Sequence, residues 1–243
     1  MTIDEARVVA DLIDDTTDTR RQVMIDVGAH HGASLAPIAL RGWEVHAEPD
    51  PDNRAYLDNR FRSTANVRID GRAVSNTTGS GAAFFQSPLS TGISSLSPFH
   101  STHRQIGTVQ TTTLSDYCRE QEIAAVDYLK IDTEGHDLFV LQGFDWDTMS
   151  PDAILCEFED TKTVPLGYDF DDLAAFLIDR GFHLWVSEWH PVIKYGQRHD
   201  WRRMSKYPCK LSDPKAWGNI LAFARPVDES RMEEVLRVRS SST

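Results

Sequence analysis

The sequence predicts an α/β fold, an open and mostly parallel seven-stranded sheet with helices on both faces. Three observations carry this. Short apolar runs recur at 23–27, 43–47, 67–69, 126–131, 153–157, 182–187 and 219–224. Helical patterns at 34–41, 51–61, 114–122, 136–143 and 170–180 separate most of them. A turn rich in glycine or acid follows the early runs, as at Gly28-Ala29-His30-His31-Gly32 and Glu48-Pro49. Strands that alternate with helices build parallel βαβ units.

In chain order, residues 4–15 pattern as an acidic amphipathic helix within an N-terminal segment 1–20, with Ile3, Ala6, Val9 (or Ala10) and Ile13 on one side. Strand–turn–helix units follow, the third strand (Val67-Arg68-Ile69) being the weakest. Residues 75–105 change character, rich in Ser, Thr, Gly and Pro with one strand candidate at Ala82–Gln86. An inserted loop or hairpin over 75–110 is expected; within it 87–105 reads equally as a lid or as disorder. The alternation then resumes to 224. No repeat or linker interrupts it, so 1–243 reads as one domain.

The chain has 243 residues, and 25 Lys+Arg against 37 Asp+Glu leave a formal charge of −12. That balance argues against nucleic acid as a partner, since phosphate binding is driven by Lys and Arg. No apolar run approaches the roughly 20 residues of a membrane span. The start, MTIDEARVVADLIDD, lacks the basic head and apolar run of a signal peptide. Cys118, Cys156 and Cys209 have no zinc spacing and no even disulfide framework. A reduced, cytoplasmic protein is the expectation.

In open α/β sheets ligands bind beyond the carboxyl ends of the strands, so the residues just after each strand matter most. Gly28 permits a tight turn and Gly32 lets a helix start close to a ligand. Asp26, two residues before Gly28, suits a ligand carrying an ammonium group. Glu48 lies 20 residues after Gly28, the spacing at which a carboxylate holds ribose hydroxyls. Asp70, followed by Arg72-Ala73-Val74-Ser75, suits the edge and face of an adenine ring. An acid-headed glycine turn, a ribose acid and an adenine wall together describe S-adenosylmethionine (SAM), a nucleoside that lacks phosphates and carries an amino acid.

Here the chain resembles the class I methyltransferases, with their Rossmann-like fold, and more narrowly the FkbM family. The resemblance rests on DVGAHHG at 26–32, AEPDP at 47–51, RAVSN at 72–76 and above all VDYLKIDTEGHDLFVLQGF at 126–144. It implies O-methylation of a hydroxyl on a sugar or a polyketide-like metabolite. Carried over residue by residue, it implies cofactor contacts from Asp26, Gly28, Gly32, Glu48, Asp70, Ala73 and Val74. His30, at a place where Asn is common in the family, and Asp132 complete the cofactor set.

Methyl transfer to an alcohol needs a base or a metal, because the hydroxyl must lose its proton as it attacks. Asp132, Glu134 and His136 alternate along the chain after the fourth strand and are the catalytic candidates, with His136 first by intrinsic pKa. A structural His136 that caps or packs the next helix is equally open. Glu157 and Glu159 share one face at the end of the fifth strand. With Asp132 they form a candidate Mg²⁺ site, against the alternative of a metal-free carboxylate–His base.

Residues 185–217 hold four of the six tryptophans, with basic residues such as Arg202 and Arg203. An acceptor-side insertion over 188–217 is expected, with Trp189, His190, Tyr195 and Trp201 as substrate-binding residues; a surface or dimer contact is the rival. A sugar hydroxyl of an oligosaccharide, polysaccharide precursor or glycolipid is the favoured acceptor. A macrolide-type metabolite is second, and a homodimer is mildly preferred. An NAD-dependent oxidoreductase fails on the missing G-x-G-x-x-G. A non-catalytic module has no need of Asp26, Glu48 and Asp132 together.

Overall fold

A computed structural model of the chain describes residues 2–13, 20–48, 51–193 and 199–240. In order these form α1 (Glu5–Ile13), β1 (Val23–Val27), α2 (Leu35–Ala39), β2 (Glu44–Glu48), α3 (Pro51–Arg60), β3 (Val67–Ile69), β4 (Ala73–Val74), β5 (Gly79–Ser87), β6 (Ser90–Ser95) and β7 (Arg104–Thr112). Then come α4 (Leu114–Glu120), β8 (Tyr128–Ile131), α5 (Asp137–Gln142), β9 (Ala153–Glu159), α6 (Asp160–Thr163), α7 (Phe170–Ile178), β10 (His183–Trp189), β11 (Trp201–Lys206), β12 (Trp217–Phe223) and α8 (Glu229–Ser240).

The main sheet has eight strands in the order β11-β10-β12-β9-β8-β1-β2-β3. From β3 to β9 the pairs are parallel, and from β9 through β12 and β10 to β11 they are antiparallel. The α/β expectation holds, with one more strand than the seven predicted. The extra strand is β11, whose WRRMSK sequence shows no apolar alternation because it lies at the sheet edge. Arg and Lys are common on such edges, where they discourage pairing with another chain.

Period-two alternation sorts the core onto two faces. Ile25, Val27, Leu129, Ile131, Ile154 and Cys156 pack against Leu114, Leu141, Leu173 and their neighbours on α4, α5 and α7. Met24, Val45, Tyr128, Leu155 and Phe223 face the other way, toward α1, α2, α3 and α8. Asp26 and Lys130 sit opposite each other on adjacent strands, on this second face and at the sheet's carboxyl edge.

Residues 73–112 form a second, four-stranded sheet, β4-β7-β5-β6. Only Ala82–Gln86 of it reads as a strand in sequence. The reason is exposure: β7 is open to solvent over most of its length, so Ser, Thr and Gly occupy positions that a buried strand would give to apolar residues. The sequence reading also assigned nothing past 224, where α8 buries Met232 and Val235 against the core. Among the described residues no helix is long and apolar enough to cross a membrane.

Candidate active site at the strand ends

The turn after β1 is shaped by close approach. Gly28 has φ +80°, and a Cβ there would collide with the backbone carbonyl of Asp132 at the end of β8. Gly32 (φ +71°) makes room for Leu57 and Phe61 of the neighbouring helix region. It borders neither of the clefts described below, so its bareness serves helix packing.

Two clefts open here. The first, of about 60 Å³, is lined by Gly28, His30, Asn53, Ala73, Val74, Phe84, Asp132, Glu134 and His136, with Thr91, Gly92 and Ser94–Leu96 of the β6 region across it. The second, of about 400 Å³, runs from the same glycine turn past Lys130 and Asp132 to Trp189, Trp217 and Asn219, with Glu5 of α1 along one side. Gly28, His30 and Asp132 line both.

Strained backbone gathers at the first cleft. His30 (φ 46°) and Glu134 (φ 56°) are two of the three non-glycine residues with positive φ among the described residues. Each such conformation costs on the order of 1–3 kcal/mol and persists where surrounding structure imposes it. His30 Nε2 meets Thr91 Oγ1 at 3.1 Å. Ser95 Oγ donates to the Glu134 carbonyl at 3.3 Å. Strand β6 is thereby tied to both the glycine turn and the end of β8.

Asp26 is fully buried and already has a cation. Lys130 Nζ donates to Oδ1 at 3.0 Å and Ser34 Oγ to Oδ2 at 2.6 Å. Lys130 also lies 3.5 Å from Asp132 Oδ2. Burial pulls the Lys130 ammonium down, and the charges of Asp26 and Asp132 more than reverse that. The ammonium foreseen for Asp26 is therefore supplied from within the chain. Glu48 ends β2 in register with Val27, one residue before Gly28.

Asp70 lines a separate small cavity with His46, Arg72 and Tyr117, which touches the first cleft at Val74. Its carboxylate is held by Arg72, whose backbone N–H and guanidinium both donate to it. Desolvation opposes ionisation of Asp70, but the Arg72 bonds win and lower its pKa.

The catalytic candidates separate in character. His136 precedes α5, packs on Phe139 at 4.7 Å and makes no capping bond with its side chain. Burial pushes its imidazole down to about 4. Glu134 faces the cleft with its carboxylate paired to Lys162 Nζ at 2.6 Å, and burial raises it to about 7. Lys162, buried at 3% side-chain exposure, also lies 3.1 Å from Glu157 and 2.8 Å from Glu159. Sequence reasoning passed over this lysine, although its place three residues after Glu159 was the available signal.

The predicted metal set is thus redrawn. The carboxylates whose oxygens fall within 4.8 Å of one another are Asp132, Glu134 and Glu157, while Glu159 turns to Lys162. The Lys162 ammonium stands among Glu134, Glu157 and Glu159 and offsets one of their charges from within the chain.

Of the predicted substrate residues, Trp189 lines the second cleft and donates its indole N–H to Glu5 at 2.6 Å. His190 is exposed, with its ring against Arg202 at 3.1 Å. Trp201 donates to Ser187 Oγ, and neither His190 nor Trp201 borders the cleft. Tyr195 lies outside the described residues. Trp217, Asn219 and Glu5 border it without having been predicted; Trp217 stood in the tryptophan-rich segment, whereas nothing local marked Glu5.

The family model described as the methyltransferase FkbM domain matches residues 26–184. A search of curated proteins found no match. Among solved structures, similarity extends to a precorrin-6y C5,15-methyltransferase from Geobacter metallireducens (12% identity, TM-score 0.46, 90% of this chain and 88% of that one). It extends also to an rRNA methylase from Streptococcus thermophilus (11%, 0.44, 91% and 95%). A third is a TehB-like SAM-dependent methyltransferase from Corynebacterium glutamicum (10%, 0.44, 93% and 89%).

Proposed function

The chain belongs to the FkbM methyltransferase family, whose model matches well over half of it, and from that premise we propose a SAM-dependent O-methyltransferase acting on a sugar hydroxyl. SAM is the cofactor expected of the family, and when bound it supplies an electrophilic methyl group on a sulfonium. The observation that carries the reading is the first cleft: Gly28, His30, Ala73, Val74 and Asp132, all foreseen as cofactor residues, meet around one opening at the strand ends.

The fit is a matter of backbone. Gly28, bare where the Asp132 carbonyl passes, lets the ends of β1 and β8 close together at the edge of the cleft. Ala73 and Val74 supply an apolar wall, and Asp132, with 44% side-chain exposure, stays open to both clefts.

For the hydroxyl proton we assign Glu134 as acceptor in preference to His136. Glu134 faces the cleft and is held by Lys162, and a carboxyl near 7 is matched to proton transfer at neutral pH. An imidazole held near 4 is a weaker base. The step is written without a metal, the positive charge beside these acids being the Lys162 ammonium.

Calorimetric titration with S-adenosylhomocysteine, with and without chelator, tests this. One saturable site per chain, unchanged by chelator, is expected. No binding would overturn the reading, and binding that needs Mg²⁺ would return the acids to a metal site.

A further inference from the structure

The second cleft is larger than the first and differs in its chemistry. We propose that its far end, between Glu5 on α1 and Trp217 and Asn219 on β12, is the acceptor site, and that it takes an uncharged polyhydroxylated ring. The proposal rests on the methyl-transfer reading above and locates its second substrate.

Connectivity is the first argument. The two clefts share Gly28, His30 and Asp132, so groups bound on either side of that junction can meet there. The acceptor therefore enters from the side that the nucleoside leaves open.

Glu5 is the second. It is 8% exposed, and Ser187 Oγ, Trp189 Nε1 and Asn219 Nδ2 all donate to its Oε1, at 2.8, 2.6 and 3.4 Å. A backbone N–H of the helix start adds to these bonds, so the carboxylate is a fixed acceptor along the cleft wall. Burial raises the Glu5 carboxyl despite those bonds.

The walls are the third. Trp217 stacks on Trp189 at 5.3 Å and 29°, and its indole N–H is fixed on the His190 carbonyl at 2.9 Å. A rigid indole wall beside polar atoms suits a ring that is apolar on its faces and wet at its edge. Charge then narrows the class. Among the described residues Lys130 is the one Lys or Arg lining the cleft, and it is paired with Asp26 and Asp132, whereas Asp4, Glu5 and Asp132 are acids. Phosphates and carboxylates are repelled from such a site.

The test titrates methyl glycosides of glucose, mannose and rhamnose into protein saturated with S-adenosylhomocysteine, read by tryptophan fluorescence and calorimetry. At least one should bind saturably in the wild type. Glu5→Gln and Trp217→Leu should each weaken it about tenfold or more, with S-adenosylhomocysteine affinity within about twofold. Trp217→Phe should restore most of the loss. If Glu5→Gln fails to fold, the Trp217 pair carries the test.

Unchanged glycoside affinity in Trp217→Leu would overturn the proposal, as would no glycoside binding up to the solubility limit by protein that binds S-adenosylhomocysteine. Tighter binding of a sugar phosphate than of its neutral parent would do the same. Wild type that fails to bind S-adenosylhomocysteine would strike the methyl-transfer reading itself, so the two failures are distinguishable.

Discussion

The two ends of the crevice above the sheet are built in opposite ways. At the turn end the shape comes from backbone: Gly28, His30 and Gly32 hold positive φ within five consecutive residues. At the far end it comes from side chains brought together over the whole chain. Glu5 meets Ser187, Trp189 and Asn219 across 182, 184 and 214 residues. A site made of backbone conformation is written in a short motif. A site made of distant side chains exists only once the chain has folded.

That difference predicts how each end breaks. The largest effect is expected at the turn. Gly28→Ala places a methyl group against the Asp132 carbonyl, and neither backbone has room to give. It also forces an L residue into a left-handed conformation. We expect a loss of about 3 kcal/mol or more, or no folded protein, read by chemical denaturation. A stable Gly28→Ala protein that binds S-adenosylhomocysteine normally would show that the turn end is more plastic than its geometry implies.

Between the two ends lies the ion cluster. Lys162→Met would leave Glu134, Glu157 and Glu159 buried without their cation, and breaking a buried pair costs about 3–5 kcal/mol. The wild-type cluster also sets a pH dependence. Burial raises Glu134 to about 7, above its unfolded value of 4.5. The native state therefore holds this proton more tightly than the unfolded chain. Its contribution is greatest below 4.5 and is lost as pH rises to about 7. The loss caused by Lys162→Met should accordingly be larger at pH 8 than at pH 5.

His136 should respond with the opposite sign. Its folded pKa of about 4 lies below the unfolded 6.5, so its contribution is present above 6.5 and fades as pH falls toward 4. The ring keeps part of its contact with water, so an effect of about 1–2 kcal/mol is expected across that window. His136→Phe should flatten it in thermal melts taken between pH 4 and 7. An unchanged profile would mean that other groups carry the acid limb.

The same contrast governs what the sequence makes legible. The parallel strands and their helices follow from apolar alternation, and the cleft around Gly28, Ala73, Val74 and Asp132 follows from the strand-end rule. Asp26 is placed correctly by spacing, yet its partner is Lys130, visible only through the register of β1 against β8. The second sheet was reduced to one strand because its exposed faces carry no hydrophobic signal. Glu5 reads in sequence as one acid among several on an acidic helix. It becomes a buried, hydrogen-bonded carboxylate only where α1 crosses the ends of β10 and β12. Lys162 likewise reads as an ordinary charged residue until three glutamates close around it.

The smallest predicted effect tests whether side chains also contribute at the backbone-built end. There His30 reaches Thr91 on β6, and Asn53 Nδ2 meets the Thr91 carbonyl at 3.5 Å. These bonds fasten β6 across the first cleft, which is the narrower of the two. Thr91→Val keeps the branched shape of the side chain and removes the hydroxyl. Loss of one such partly exposed bond is worth about 0.5–1.5 kcal/mol, a fewfold to about tenfold in affinity. Because β6 lies over the opening rather than within it, the change should fall on dissociation: S-adenosylhomocysteine should leave faster, with association little altered. Stopped-flow measurement of both rates decides this. Equal slowing of association would instead place Thr91 in the path of entry, and no change in either rate would leave the turn end governed by backbone alone.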